Sequence, residues 1–465
     1  MPPRTEQLDA IVIGTGQGGT PLARAFARAG LKTAIIERDA RGGGTRVVEG
    51  CTPTRTMIAS ARIAHLARRA ADYGVRTGHV AVDMRAVRDR NRTLVDRFNR
   101  QSEDRQLEAQ DGLELVRGEA RFTGPRAVEV ATDGGAARRL SAAVIVIDTG
   151  QRPAVPPIDG IDAVPHLDNR SVMELDAPPA HLVVLGGGAT GVEFAQMFRR
   201  LGSDVTLVDR SARLLAAEDE DVSETMAGIL ADEGVKIHTE TSASRVRRHD
   251  GAIALAVSTP AGAATIEGTH LLLAVGRAPN TDRLDLAAAG VATDDRGYVR
   301  TNDRLETNVA GIYAIGDVKG GPAYTHVSYD DYRILAENLL NDGAASTASR
   351  LIPYTVYTDP ELGRVGMTEA QARAQGIDYR VAKLPMSSVA RALETGEARG
   401  FMKALVDARS QEILGCAIFG VHGGEIMSAV EIAMMGTLPY TALRDGVFAH
   451  PTLAEALNSL FATLG

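Results

Sequence analysis

Two glycine clusters in this chain have the spacing that brings a backbone against a phosphate. The first, Gly14-Thr15-Gly16-Gln17-Gly18-Gly19, follows the apolar run Asp9-Ala10-Ile11-Val12-Ile13. Gly14 permits a tight turn, Gly16 lets the main chain approach a pyrophosphate, and Gly19 lets the next helix pack on the strand. The unpaired N–H groups and partial positive charge of that helix start would hold the phosphates. Glu37, at the end of the following apolar run, would accept from a ribose hydroxyl. Gly186, Gly188, Gly191 and Asp209 repeat the set later in the chain. Glycines kept only for tight packing are the alternative for either cluster alone. The same strand–turn–helix context at both points to two dinucleotide sites. A carboxylate at Asp209 repels the 2′-phosphate of NADPH and so favours NADH, whereas Arg210 and Arg213 would either pair with that phosphate or lie in a solvated turn.

The elements around these residues read as follows. Asp9–Gly14 is a buried parallel strand, Leu22–Ala29 a helix and Lys32–Glu37 the next strand, a complete βαβ unit. His181–Leu185, Val192–Leu201 and Asp204–Asp209 repeat it. Pro153-Ala154-Val155-Pro156-Pro157 marks a linker into the second fold, and Gly276-Arg277-Ala278-Pro279-Asn280 the return. Beyond Leu351 the pattern changes. Tyr354–Thr358 and Arg399–Asp407 read as antiparallel strands, Glu425–Met435 and Leu453–Leu464 as helices. The fold class is therefore α/β, with two Rossmann-like dinucleotide-binding domains and a C-terminal α+β domain.

Composition narrows the function. The 465 residues exceed one compact core and carry a net charge of -8, with aromatics at 4% and no Trp, so a nucleic-acid partner finds no support. No leader pattern opens the chain and no apolar run approaches the roughly 18–20 residues of a membrane span, so a cytoplasmic location without membrane contact is expected. Cys51 and Cys416, the only cysteines, are too few for a disulfide framework or a cysteine-rich metal site.

In order along nearly the whole chain, further motifs resemble the pyridine nucleotide–disulfide oxidoreductase family, whose members include glutathione reductase, dihydrolipoamide dehydrogenase and mercuric reductase. They are Gly43-Gly44-Thr45, Asp148-Thr149-Gly150, Gly276–Asn280, Thr307–Asp317 ending in Gly316-Asp317, and His450-Pro451-Thr452-Leu453-Ala454-Glu455. Tyr329–Arg333 and Ala392–Glu397 resemble the mercuric-reductase branch. The resemblance implies an FAD-binding domain at 1–152 and 279–348, an NAD(P)-binding domain at 153–278 and a dimerisation domain at 349–465. It implies FAD in the first site and NADH or NADPH in the second, with Asp317 on the ribityl chain. It also implies a homodimer in which His450, oriented by Glu455, acts in the partner's active site on a small-molecule substrate. His326 and His422 read as structural.

Two departures carry the interest. Family members with dithiol chemistry have Cys-x-x-x-x-Cys after Gly-Gly-Thr. Here the flavin-proximal cysteine is Cys51, but Arg46 stands at the place of the substrate-facing one. Cys416, inside an apolar run, reads as a packed core residue. Three readings of the pair stay open. In the first, flavin chemistry alone serves a quinone-like or specialised acceptor, with Arg46 binding an anionic group. In the second, Cys51 is a lone nucleophile for a thiol or peroxide, its thiolate favoured by a cation and a helix start. Or both residues are inert, Cys51 packed under the flavin and Arg46 a solvated side chain. A slow flavoprotein serving as redox sensor or scaffold is the rival from another class. The second departure is Arg55, where the family has a lysine paired with a glutamate beside flavin N5, here Glu193. The planar guanidinium changes that geometry while keeping the charge, and an ordinary interdomain salt bridge is the alternative.

Overall fold

The computed structural model describes residues 5–40, 42–44, 50–101, 110–132, 135 and 137–465. Thr45 and Arg46 lie outside them. The chain packs as two compact units, one of residues 1–56, 88–154 and 276–350, the other of 57–87, 155–275 and 351–465.

In the first unit, Glu6–Ile13 runs between Thr33–Glu37 and Ala137–Ile147, parallel to both. Leu113–Gly124 extends the sheet on one side and Ile312–Ala314 on the other, again in parallel. Leu113–Gly124 outruns its parallel partner and folds back through Ala127–Thr132 into Ala137–Ile147 as an antiparallel meander. The apolar run in Glu6–Ile13 is explained by burial on both faces. Ala10 and Val12 pack with Leu22, Phe26, Ile334 and Leu335, from the helices Gly19–Arg28 and Thr325–Leu340. Ile11 and Ile13 pack with Val116, Phe122, Val128 and Leu140.

The second unit contains a parallel sheet ordered His270–Leu273, His181–Leu185, Asp204–Val208 and Lys236–His238. The antiparallel strands Ser242–His249, Ala252–Thr259 and Gly262–Gly268 form a separate ribbon. A five-stranded antiparallel sheet runs Tyr354–Val356, Glu361–Gly366, Ile413–Gly420, Phe401–Asp407 and Tyr379–Pro385. The helices Gly423–Met435 and Ala456–Ala462 contribute Ile426, Val430, Leu457 and Phe461 to its core. Parallel and antiparallel sheets share one buried cluster that joins Phe194 and Phe198 to Phe401 and Phe419, which is why these segments pack as one unit.

The expected α/β class with two Rossmann-like folds and an α+β C-terminal part is the observed one. Helix ends differ. The helix expected from Val192 begins at Ala189, one residue after the turn glycine Gly188. The one expected from Leu453 begins only at Ala456, because the first turn closes by tighter three-residue bonds, Ala456 N to Leu453 O at 3.2 Å and Leu457 N to Ala454 O at 3.1 Å. Among the described residues no helix is long and apolar enough to cross a membrane, and no group of three or more His, Cys, Asp or Glu could hold a metal ion.

Candidate active site

The first glycine turn is shaped by close backbone contact. Gly14 has φ +108°, and a Cβ there would stand 2.3 Å from the Asp148 carbonyl oxygen. Its N–H donates to Ile36 O at 2.8 Å, fixing the turn on the sheet. Glu37 reaches back over the loop, where Oε2 accepts from the Thr15 N–H at 3.1 Å and the Thr15 hydroxyl at 2.6 Å. Its other oxygen accepts from Asp39 N at 2.8 Å. The expected ribose acceptor is thus held beside the turn before any ligand arrives. Gly44 lies against the same loop, a Cβ there being 3.7 Å from Gly16 Cα, and Gly43 N donates to Thr15 Oγ1 at 3.2 Å.

Gly316 and Asp317 open the short helix Gly316–Lys319, and Gly316 N donates to Asp331 Oδ2 at 2.8 Å. Burial holds the Asp317 carboxyl above the usual carboxylate range, opposed by Arg277 and Lys319. Two motifs far apart in sequence meet here. Thr149 Oγ1 donates to Asn280 O at 2.9 Å, Asn280 Nδ2 returns a bond to Thr149 O at 2.8 Å, and Asn280 N donates to Gly150 O at 3.0 Å. The flanking strands Gln151–Pro153 and Arg277–Pro279 pair antiparallel, and Gly150 and Gly276 take φ +65° and +121°.

Cys51 is the first residue of the helix Cys51–Arg68 and is half-buried. Its Sγ lies 3.1 Å from Thr325 Oγ1, at the start of the helix Thr325–Leu340, and either atom can donate. The Tyr324 and His326 rings stack beside this contact, 5.3 Å apart and nearly parallel. Cys416 is a free thiol 1% exposed in the strand Ile413–Gly420, and burial pushes it up to about 12. The core role expected for it holds.

The second glycine turn repeats the first within its own unit. Gly186 has φ +113°, with a Cβ falling 2.3 Å from Ala274 O, and a Cβ on Gly191 would lie 1.7 Å from Gly186 O. Gly188 is different. Its φ is -76°, open to any residue, and a Cβ would meet nothing within 4 Å. Neither backbone nor packing requires glycine there, so the missing side chain fits the close approach of a ligand. Asp209 accepts from Gly187 N and, through Oδ1, from Ser211 N at 2.6 Å. Arg210 is exposed, and Arg213 lies 3.9 Å from Glu220. These features fit a dinucleotide at each turn.

Arg55 belongs to the first unit and Glu193 to the second. Glu193 is 6% exposed, and its Oε1 accepts from Tyr357 N at 2.8 Å. His450 and Glu455 are brought together as expected, with His450 Nδ1 at 2.8 and 3.0 Å from the two carboxylate oxygens. A carboxylate only accepts, so Nδ1 carries the hydrogen and Nε2 is left as the free, basic nitrogen. The imidazole is 69% exposed in the single chain. Residues that the motif reading passed over are Thr15, Thr325, Asp331 and the side chain of Asp148. Only Asp148 left a sequence signal, as the carboxylate that opens the Asp148-Thr149-Gly150 motif.

A family model for the pyridine nucleotide-disulphide oxidoreductases matches residues 8–331, and the model of their dimerisation domain matches 352–461. The probable pyridine nucleotide-disulfide oxidoreductase RclA of Escherichia coli is 36% identical over 97% of this chain and 98% of its own length. A mercuric reductase of Staphylococcus aureus is 33% identical over 98% of this chain and 82% of its own. The solved structure of the Escherichia coli HOCl-induced flavoprotein disulfide reductase RclA matches with a TM-score of 0.89 and 35% identity, covering 98% of this chain and all of that one. Two dinucleotide turns, the motifs that surround them and these matches agree: the chain belongs to the pyridine nucleotide-disulphide oxidoreductases and is an FAD-dependent NAD(P)H oxidoreductase.

Proposed function

We propose that this oxidoreductase delivers electrons to a small oxidised acceptor, quinone-like or specialised, without dithiol exchange. The observation that carries the reading is its sulfur inventory. Cys51 and Cys416 are the only cysteines, both are free thiols, and Cys416 is sealed in a strand. The Escherichia coli relative is called a disulfide reductase. The same exchange here would need a second thiol beside Cys51, where the sequence has Arg46. When bound, FAD would supply the two-electron chemistry that links the nicotinamide to the acceptor.

The chain's own residues do the rest. The domains are those of the sequence reading, 1–152 with 279–348 for FAD, 153–278 for NAD(P) and 349–465 for dimerisation. Gly14, Gly16, Gly19, Gly44, Thr45, Thr149, Gly150, Gly316 and Asp317 line the FAD site, with Glu37 on its ribose. Gly186, Gly188, Gly191, Asp209, Arg210 and Gly276 serve the nicotinamide dinucleotide. Asp209, held by two backbone N–H groups, disfavours a 2′-phosphate, so NADH is preferred over NADPH. Arg55 and Glu193 set the charge beside the flavin, and Arg46 binds an anionic part of the acceptor. In a cytoplasmic homodimer the exposed His450, its tautomer fixed by Glu455, moves a proton through Nε2 in the partner's site.

A second reading has its own observation. Cys51 is half-buried rather than sealed and sits 3.1 Å from a hydroxyl, as suits a lone nucleophile for thiols or peroxides. Turnover of Cys51→Ser with a quinone separates the two. Activity within about threefold of the native protein supports the flavin-only route, and loss of two orders of magnitude or more assigns the chemistry to Cys51.

A further inference from the structure

Asp148 directly follows the strand Ala137–Ile147 and turns its side chain into the first glycine turn. Its Oδ2 accepts from Gly19 N at 2.7 Å, the first backbone N–H of the helix Gly19–Arg28. A Cβ on Gly16 would fall 2.5 Å from Oδ2, one on Gly19 2.6 Å from it, and one on Gly316 2.9 Å from Oδ1. The carboxyl therefore lies among three glycines that the FAD assignment uses.

The second dinucleotide fold provides an internal control. There Gly186 meets the Ala274 carbonyl as Gly14 meets that of Asp148, at 2.3 Å in both. Ala274 is thus the counterpart of Asp148, and it has no polar group to offer. The carboxyl is an addition to the first fold, and the shared architecture does not require it.

Its surroundings are acidic. Asp148 is buried, and burial together with Asp317, Asp331 and Glu37 holds it well above the usual carboxylate range, against the Gly19 N–H. The nearby cations are committed elsewhere. Lys319 and Arg350 pair with Asp331 at 3.3 and 2.7 Å, and Arg277 acts on Asp317. An ionised carboxylate here would be buried without a cation to compensate it and would also face a pyrophosphate of like charge. A neutral carboxyl takes the Gly19 N–H on one oxygen and still has a hydrogen to give.

We infer that Asp148 is a phosphate-binding residue of the first dinucleotide site, donating its carboxyl hydrogen to the FAD pyrophosphate, so that FAD is held by the acid form and released when that proton is lost. Asp148 thereby gives the site a pH-dependent grip on its cofactor. The inference rests on FAD occupying the first glycine turn.

The test uses purified holoenzyme and follows the fluorescence of released FAD after dilution at a series of pH values from neutral upward. The native protein keeps FAD at neutral pH and releases it faster as the pH rises. In Asp148→Asn, which keeps a donor that cannot titrate, that rise is abolished. In Asp148→Ala release is on the order of tenfold faster already at neutral pH, the loss of a hydrogen bond to a charged group. A protonated-carboxyl infrared band at neutral pH, absent from Asp148→Asn, checks the native state independently of variant folding. A release profile for Asp148→Asn that follows the native one, or no such band, overturns the inference. Native protein that holds no FAD would instead overturn the assignment of the first site.

Discussion

Cys51 and Arg46 define what is unusual at the scale of single residues. A reductase that exchanges thiols needs two sulfurs within bonding reach, because the first forms a mixed disulfide that the second resolves. Cys51 has a threonine hydroxyl as its neighbour, and the only other sulfhydryl is buried in a strand of the other unit. Replacing Arg46 by Cys should restore the pair. In oxidised Arg46→Cys, Cys51 should resist alkylation until a reductant is added, whereas in the native protein it alkylates at once. Rapid alkylation of Cys51 in the oxidised variant would mean that position 46 does not occupy the place of the missing thiol.

At the scale of elements, the two glycine turns look alike in sequence but use their glycines for different reasons. Gly14 and Gly186 are demanded by positive φ and a carbonyl 2.3 Å away, and Gly191 by the turn oxygen 1.7 Å away. Such demands come from local backbone geometry, and the motif spacing made them legible. Gly188 has no such demand. Gly188→Ala should therefore leave the melting temperature and FAD content unchanged and raise the KM for NADH about tenfold or more, a loss of roughly 1.4 kcal/mol. Gly191→Ala should fail to fold or lose stability outright. An unchanged KM in Gly188→Ala would show that no ligand approaches this turn. The contacts that sequence could not reveal are those closed over long separations. The Asp148–Gly19 bond spans 129 residues and the Cys51–Thr325 contact 274, and no local pattern says which residues pair. His450 and Glu455, five residues apart, were legible because the fold had little to add.

For the whole molecule, the strands, the parallel sheets and the change to an antiparallel C-terminal sheet followed from apolar periodicity and turn residues. The packing into two units did not, since it depends on aromatic residues from distant segments meeting in one core. If electrons leave the flavin without an enzyme disulfide, that route limits how many the protein can store. An enzyme with FAD and a redox-active disulfide stores two electron pairs per subunit; one with FAD alone stores one. Anaerobic titration with dithionite, followed by flavin absorbance and thiol count, measures this directly. Full flavin bleaching should follow a single two-electron equivalent per FAD, with no new thiols. A second equivalent consumed with the appearance of two thiols per subunit would contradict it.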